Sequence, residues 1–390
     1  MRGEFVRARN GQFVLGDRPF RFVGANIDPL HGDVNRYRAR DLIAALADDG
    51  LTVARMWPLG EGQEDADDWM RKFHLFRASP DGFIEDRFLL LDRVLAIARL
   101  YGIRVMLTLS NNWGDYGGAP MYLRWTGSPW WGLHHESFFS HPRTREFYRA
   151  GLLKLLLRRN TVTGVMYVDD PTIFAWELMN ESQIFSEPGQ HARIAWIREM
   201  AALIREYDKN HMISAGANGY ALRRERADWL RIQQLPEVDF CDSHIYPEND
   251  EAWAQGRGEK RILDLLDDRA ALCRYVVKKP LVIGEFGFHT DGSQTLFGRP
   301  RAGWFTRFLR QHYRNRGAGA LVWLYEPYQL WGTKVRDFGI HIDHPDTRDV
   351  RQALSTVADQ LRQGGWDAFG PDNPRIVSAK HSGLQTQPLY

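Results

Sequence analysis

Two glutamates, Glu181 and Glu285, each stand at the end of an apolar run typical of a buried strand. The first run covers residues 173–180 and the second covers residues 281–284. A carboxyl group in so hydrophobic a segment is costly to desolvate unless its site requires it. Cleavage of a glycosidic bond requires two facing carboxyl groups, one to supply a proton and one to act as nucleophile or base. The pair therefore indicates glycoside hydrolysis, provided that the fold brings the two runs together.

Neighbouring residues suggest a role for each glutamate. Asn180 can hydrogen-bond a sugar hydroxyl while Glu181, the general acid/base, points at the glycosidic oxygen. Arg55 and Tyr246, from other strand ends, can donate charge-assisted hydrogen bonds to Glu285, the nucleophile, and keep it ionised. We therefore predict a low pKa for Glu285 and a high pKa for Glu181. Carboxyl groups about 5–5.5 Å apart would give retention through a covalent intermediate.

Short apolar runs alternate eight times with amphipathic helical stretches. The runs lack strict alternation, as expected of strands buried on both faces. They cover residues 20–27, 52–57, 104–110, 173–181, 212–218, 240–246, 281–287 and 319–325. Helical patterns cover residues 41–49, 89–101, 143–159, 192–207, 227–232, 262–277 and 304–315. The sequence therefore predicts an α/β fold, a (β/α)8 TIM barrel built as a single domain with long βα loops.

A doubly wound sheet is the alternative fold. It would require a Gly-rich phosphate turn after an early strand, and residues 24–26 do not form one. In the barrel interpretation, residues 1–365 form the catalytic barrel. From residue 366 the chain loses its periodicity, so we predict a C-terminal tail over 366–390.

Polar or aromatic residues occur where the predicted strands end, which is the end of a barrel that carries active sites. His244 and Tyr246 are two positions apart and share one strand face. The predicted substrate-binding residues are Arg55, Asn180, His244, Tyr246, Trp323, Asn112 and Trp113. Trp323 can form a stacking floor or pack in the core, and His244 can be purely structural. Of the tryptophans in the long loop 111–142, we expect at least one to line the cleft; they are Trp113, Trp125, Trp130 and Trp131.

Composition excludes several classes of partner. The formal net charge is +2, and the Lys and Arg residues are scattered, so we predict neither a nucleic-acid partner nor a membrane surface. The first residues contain no apolar signal region and no run approaches a membrane span, which predicts a cytoplasmic protein. Cys241 and Cys273 lack a metal or redox spacing and are predicted to be core residues. Nothing in the sequence predicts an oligomeric state.

Metal and cofactor chemistry are not predicted. The histidines form neither an i,i+4 pair nor an HExxH motif. A His-x-Tyr motif with Glu at strand ends is compatible with a divalent ion, as in some barrel isomerases, and this stays an alternative. Schiff-base chemistry would need a lysine at a strand end, and no predicted strand ends in one.

Several motifs resemble glycoside hydrolase family 5, a retaining (β/α)8 family with two catalytic glutamates. They are the stretches 176–181 (WELMNE) and 283–287 (IGEFG). Residues 111–118 (NNWGDYGG), 138–142 (FFSHP), 160–165 (NTVTGV) and 169–173 (DDPTI) are similar to the β-mannanase and β-mannosidase branch. The resemblance covers about residues 20–325 and implies an active-site set of Arg55, Asn180, Glu181, His244, Tyr246, Glu285 and Trp323.

Two departures from the family pattern concern the leaving-group side. Ser182 follows the Asn-Glu pair where the family usually has Pro, and residues 324–328 do not continue as a mannanase does. These departures favour an exo-acting β-mannosidase on short β-1,4-linked manno-oligosaccharides or mannosyl-β-1,4-N-acetylglucosamine. The absence of an export signal and the long loops 58–85 and 111–142 favour the same activity. The alternatives are an endo-β-1,4-mannanase with an open cleft, a β-glucosidase or endoglucanase, and a non-catalytic sugar-binding barrel.

Overall fold

Parallel strands arranged around a common core form the predicted barrel. The computed structural model describes residues 3–28, 36–63, 75–128, 135–219, 223–247, 258–289, 295–296, 299–327 and 338–381. The strands in these ranges are β1 Val6–Arg9, β2 Gln12–Leu15, β3 Arg18–Phe20, β4 Phe22–Ile27, β5 Val53–Met56, β6 Arg104–Thr108, β7 Ile173–Glu177, β8 Met212–Ser214, β9 Cys241–Ile245, β10 Leu281–Phe286, β11 Thr295–Leu296, β12 Arg299–Pro300, β13 Gly319–Glu326 and β14 Ile340–His341. All eight predicted barrel strands are present.

The barrel strands pair in the order β8-β7-β6-β5-β4-β13-β10-β9, with parallel neighbours throughout. Backbone hydrogen bonds join β8 and β9 at their ends. They run from Asp239 N to Ile213 O over 2.9 Å and from His244 N to Asn218 O over 2.8 Å. The strand ends that carry Arg55 and Glu285 therefore belong to one ring, as the active-site prediction requires.

Helices cover the outside of the ring. They are α1 Arg36–Asp48, α2 Glu85–Tyr101, α3 Gly118–Trp125, α4 Ser137–Ser140, α5 Pro142–Leu156, α6 Glu187–Tyr207, α7 Arg223–Gln233, α8 Gly258–Ala271, α9 Arg301–Arg314, α10 Arg348–Gly364 and α11 Pro374–His381. A π-helical turn, Leu272–Val277, follows α8. Each predicted helix is present, and α10, which follows the last strand, was not predicted. None of the helices in the described ranges is long and apolar enough to cross a membrane.

A three-stranded antiparallel sheet, β1 to β3, precedes the barrel and was also not predicted. Its central strand carries Phe13, whose ring is fully buried. The Phe13 ring makes edge contacts with Phe174 at 5.2 Å and with Phe240 at 5.5 Å between centroids. These rings come from β7 and the start of β9, so the sheet closes the end of the barrel opposite the catalytic strand ends with aromatic packing.

The described part of the predicted tail packs against the barrel. Trp366 lies in a short 3-10 helix, where the Arg21 guanidinium stacks on its ring at 4.0 Å. Its indole N–H donates to Gly317 O over 2.7 Å. Farther on, the Asn373 amide donates to Asp267 over 2.9 Å and precedes α11. The chain up to His381 is therefore attached to the outer helices, and residues 382–390 lie outside the described ranges.

Replacing Phe13 with alanine is expected to lower the free energy of unfolding by about 3–5 kcal/mol, because it empties the centre of the aromatic layer. Activity per folded molecule should change little, since this layer lies at the far end of the barrel. Chemical denaturation would measure the loss, with F185A as the matched control. The Phe185 side chain is 51% exposed, so its removal should cost less than about 0.5 kcal/mol. Equal losses in both variants would contradict the role of the layer.

Candidate active site

The guanidinium of Arg55 is the centre of the polar strand ends. It lies on β5, is fully buried, and donates to four side chains. Nε and Nη2 contact the two Glu177 oxygens, both over 2.7 Å. Nη1 donates to Asn26 over 2.8 Å and to Glu285 over 2.6 Å, and Nη2 also donates to Asn180 over 2.7 Å. One cation therefore links β4, β5, β7 and β10 at the catalytic end.

Glu177 was not predicted as a site residue, yet it is the main partner of Arg55. The bidentate geometry fixes the plane of the guanidinium, and Thr108 adds a hydrogen bond to Glu177 over 3.2 Å. Burial alone would lower the pKa of Arg55, but the charges of Glu177 and Glu285 outweigh it and raise that pKa. The signal in the sequence was a second acid inside the apolar strand, which requires a buried cation.

Glu285 lies at the end of β10 with both carboxylate oxygens held. Arg55 donates to Oε1, and the Tyr246 hydroxyl donates to Oε2 over 2.6 Å. These are the two donors that the sequence predicts. Burial nevertheless raises the pKa of Glu285, and the charge of Glu181 adds to the effect, while His244, Arg55 and Tyr246 oppose it. The carboxylate is thus held through both oxygens in a site where only 6% of its side chain is exposed.

Glu181 lies beyond the end of β7 in a left-handed backbone conformation, with φ of 52°. Such a conformation is uncommon for a residue with a side chain, and it directs the carboxyl group into the site. One oxygen contacts His244 Nδ1 at 2.7 Å, and the other accepts the Trp113 indole N–H over 2.7 Å. Its side chain is 17% exposed against 6% for Glu285, so Glu181 is the more accessible of the two acids.

The order of the two pKa values is the reverse of the sequence prediction. Burial alone would raise the pKa of Glu181, but the hydrogen bond and charge of His244 and the Trp113 N–H lower it below the ordinary value. Glu285 shows the opposite shift because burial dominates there. The prediction of a low pKa for Glu285 and a high pKa for Glu181 is therefore wrong. It omitted His244, which lies against the acid/base.

His244 is the second cation of the site. Burial disfavours the imidazolium, but the charge of Glu285 and the hydrogen bond to Glu181 outweigh it and raise the pKa of His244 to about 9. The protonated Nδ1 donates to Glu181 and lies 3.5 Å from Glu285 Oε2. His244 and Tyr246 do face the site together, as their spacing predicts.

The loop that carries Trp113 is held by a buried carboxyl group, Glu61. It accepts hydrogen bonds from Gly118 N over 3.2 Å and from the Tyr122 hydroxyl over 2.9 Å. Burial raises the pKa of Glu61 to about 7. Gly117 has φ of 90°, and a Cβ there would lie 2.0 Å from Glu61 O. The Gly-Gly pair in the loop is thus required for its close approach to Glu61, which positions Trp113.

The remaining predicted residues are Asn112 and four tryptophans. Trp323 lies at the site, partly exposed, with its ring at an edge contact of 5.6 Å to Trp57. Asn112 contributes its backbone N–H to Asn180 O over 3.0 Å, whereas the side chain that contacts the Asn180 amide is that of Asn111. Trp125 donates to Gly62 O and packs under the loop. Trp130 and Trp131 lie outside the described residues.

Atoms of Glu181, His244 and Glu285 approach within 4.8 Å of one another, as do atoms of Glu177, Asp242 and His244. The spacing alone would suit a divalent cation. However, Arg55 already binds both oxygens of Glu177 and one of Glu285, and His244 carries a proton toward Glu181. We therefore assign none of these residues as metal ligands.

Comparison with known proteins shows which family the chain belongs to. Residues 3–310 match the family model for GH family 5 beta-mannosidase-like proteins. The mannan endo-1,4-beta-mannosidase 1 of Oryza sativa subsp. japonica is 33% identical over 343 residues, covering 82% of this chain and 77% of that protein. The mannan endo-1,4-beta-mannosidase 2 of Arabidopsis thaliana is 32% identical over 369 residues, covering 86% and 81%.

The fold also matches solved structures. The endo-beta-1,4-mannanase from Thermotoga petrophila superimposes with a TM-score of 0.76 at 24% identity, over 88% of this chain and 77% of that chain. At this identity the match supports the barrel fold and not the substrate.

Replacing Arg55 with lysine is expected to lower the free energy of unfolding by about 3–5 kcal/mol, because an ammonium cannot satisfy the four side chains that accept from the guanidinium. R226K is the matched control, since Arg226 also binds a carboxylate, Asp268, through two nitrogens, but at the surface. The Arg226–Asp268 pair should contribute less than about 1 kcal/mol to the free energy of unfolding. Urea denaturation would measure both variants, and a loss in R55K no larger than in R226K would contradict the central role of Arg55.

Proposed function

Because the chain belongs to the β-mannosidase-like group of glycoside hydrolase family 5, we propose that it hydrolyses β-1,4-linked mannosides with retention of configuration. The chain is a glycoside hydrolase by that membership. Glu285 is the proposed nucleophile and Glu181 the proposed acid/base. The substrate is a β-mannan or a manno-oligosaccharide derived from it.

One observation carries the proposal of retention. A carboxylate oxygen of Glu181 and one of Glu285 lie within 4.8 Å of each other, with His244 between them. Retaining enzymes hold their carboxyl groups about 5–5.5 Å apart, whereas inverting enzymes need about 6.5–9.5 Å to admit a water molecule. The separation thus supports direct attack of one carboxylate on the sugar.

In the first step, Glu285 attacks the anomeric carbon and the bond to the leaving oxygen breaks. Arg55 and Tyr246 hold the two Glu285 oxygens, so the nucleophile does not need to reorient. Glu181 gives a proton to the leaving oxygen. Before this step the proton is held by His244, and it can pass to Glu181 along their 2.7 Å contact.

In the second step, a water molecule attacks the glycosyl ester of Glu285. Glu181, now ionised, accepts a proton from that water, and the bond between sugar and Glu285 breaks. The proton on Glu181 can return to His244, which restores the starting state. No atom of the cycle has to come from a cofactor.

The relatives support an endo mode of action. Those named above are mannan endo-1,4-beta-mannosidases, so we propose endo-cleavage in place of the exo-acting β-mannosidase that the sequence favoured. The exo mode remains the second candidate because the family description is β-mannosidase-like and because Ser182 departs from the family pattern. Residues 64–74 and 129–134, which belong to the loops on which the exo prediction was built, lie outside the described residues.

The roles of the two glutamates can be separated with azide. E285A should lose about 10⁴-fold or more of the turnover of an aryl β-mannoside, and azide should partly restore it by giving the α-mannosyl azide, because azide replaces the nucleophile. E181A should instead accumulate glycosyl-enzyme, which azide releases as the β-mannosyl azide. NMR of the products would decide, and β-azide from E285A would contradict the assignment.

Product analysis distinguishes the two modes of cleavage. With mannohexaose reduced at one end, an endo enzyme should release mannobiose and mannotriose in the first few per cent of conversion. An exo enzyme should release mannose alone and shorten the chain one unit at a time. Cello-oligosaccharides of the same length are the control, and faster cleavage of them would contradict the proposed sugar specificity.

A further inference from the structure

Asp242 is a buried acid that the catalytic steps above do not use. It lies on β9, two positions before His244, and its residue is 1% exposed. Among the residues that the structure describes, neither of its carboxylate oxygens has a hydrogen-bond partner, and the same holds for His244 Nε2. The nearest pair of these atoms, Asp242 Oδ2 and His244 Nε2, is 3.9 Å apart. An unpartnered buried acid thus faces the unpartnered nitrogen of the residue that binds Glu181.

Gly284 makes this approach possible. A Cβ at that position would lie 2.4 Å from Asp242 Oδ1 and 2.9 Å from His244 Nε2. Any side chain at this position would therefore collide with the acid and the imidazole and displace them from their present positions. Gly284 directly precedes the nucleophile Glu285, so the contact between Asp242 and His244 lies next to the reacting carboxyl groups.

We propose that Asp242 is a positioning residue that controls, through His244, whether Glu181 can receive its proton. This inference rests on the proposed function, since it assigns the proton that the first step consumes. Asp242 does not touch the substrate. It acts on the imidazole, and the imidazole acts on the acid/base.

The charges that face Asp242 come from four strands. His244 lies on its own strand, Glu177 on β7, Arg55 on β5 and Glu285 on β10. Burial raises the pKa of Asp242 to about 7, His244 and Arg55 oppose the rise, and Glu177 and Glu285 add to it. At acid pH the side chain is therefore a neutral carboxylic acid.

Ionisation of Asp242 would place a negative charge beside Nε2 and stabilise the imidazolium. The proton would then stay on His244, and its transfer to Glu181 would become less favourable. With Asp242 neutral, this extra stabilisation is absent and the proton can move to Glu181 Oε1. The loss of activity on the alkaline side should accordingly follow the ionisation of Asp242.

The test compares the wild-type enzyme with D242N, an uncharged variant of nearly the same shape, by measuring kcat/KM from pH 4 to 10 on an aryl β-mannoside. The alkaline limb should lie near pH 7 in the wild type and move up by at least one pH unit in D242N. S243A is the control, because Ser243 is a buried polar neighbour on the same strand. Its alkaline limb should coincide with that of the wild type.

A second readout needs no substrate. The ¹⁵N shifts of the His244 ring should show a change near pH 7 in the wild type that is absent in D242N. If no β-mannoside is cleaved, the proposed function fails and the ring titration still decides the inference. Should D242N fold poorly, D242S replaces it in both measurements. An alkaline limb or a His244 titration that is the same with and without Asp242 would overturn the proposal.

Thermal unfolding gives a further check with a defined sign. The pKa of Asp242 is raised from 3.8 to about 7 in the folded protein, so in that pH window the folded state binds more protons than the unfolded state. The contribution of Asp242 to stability must therefore fall as pH rises from about 4 to about 7. D242N lacks this pH-dependent contribution. The Tm of D242N minus the Tm of the wild type should therefore increase as pH rises from about 4 to about 7.

Discussion

The buried guanidinium of Arg55 is the constraint on which the catalytic end of the barrel depends. A cation without solvent is tolerated only where its N–H groups are all satisfied, and here the acceptors come from β4, β7 and β10 as well as from Asn180. The same contacts that stabilise Arg55 therefore fix the positions of those strand ends. Positioning of Glu285 is a consequence of satisfying Arg55, because one carboxylate oxygen serves both purposes.

The barrel changes from apolar to polar along its axis. At one end, the Phe13 ring packs edge to face against Phe174 and Phe240, and on β7 only two residues separate Phe174 from Glu177. The aromatic layer excludes water from below, which keeps the effective dielectric low around the charges above it. Burial is then the largest cause of the raised pKa values of Glu285 and Asp242. Packing at the closed end thereby supports the chemistry at the open end.

Most of this arrangement could be predicted from the sequence, and the failures have physical reasons. Runs of β-branched and aliphatic residues located all eight barrel strands, because strands buried on both faces have a strong local signature. The β1–β3 sheet was missed since its short strands are half exposed and alternate weakly. The contacts of Tyr246 and Arg55 with Glu285 were predicted from strand-end geometry. The pKa order was not, because it depends on the 2.7 Å contact between His244 and Glu181, which no spacing in the sequence reveals.

One of the motifs that suggested the family, residues 160–165, belongs to the scaffold. Asn160 caps the turn that follows by accepting the N–H groups of Val162 and Thr163, and Asp92 binds Arg158 through both oxygens. These contacts hold the segment between α5 and β7 against α2. The chemistry instead depends on charge balance among few groups. Glu177, Glu181 and Glu285 oppose the two cations Arg55 and His244, leaving one excess negative charge when all are ionised. Burial raises the pKa of Asp242 to about 7, and the charges of Glu177 and Glu285 add to the rise, because a fourth carboxylate would double that excess.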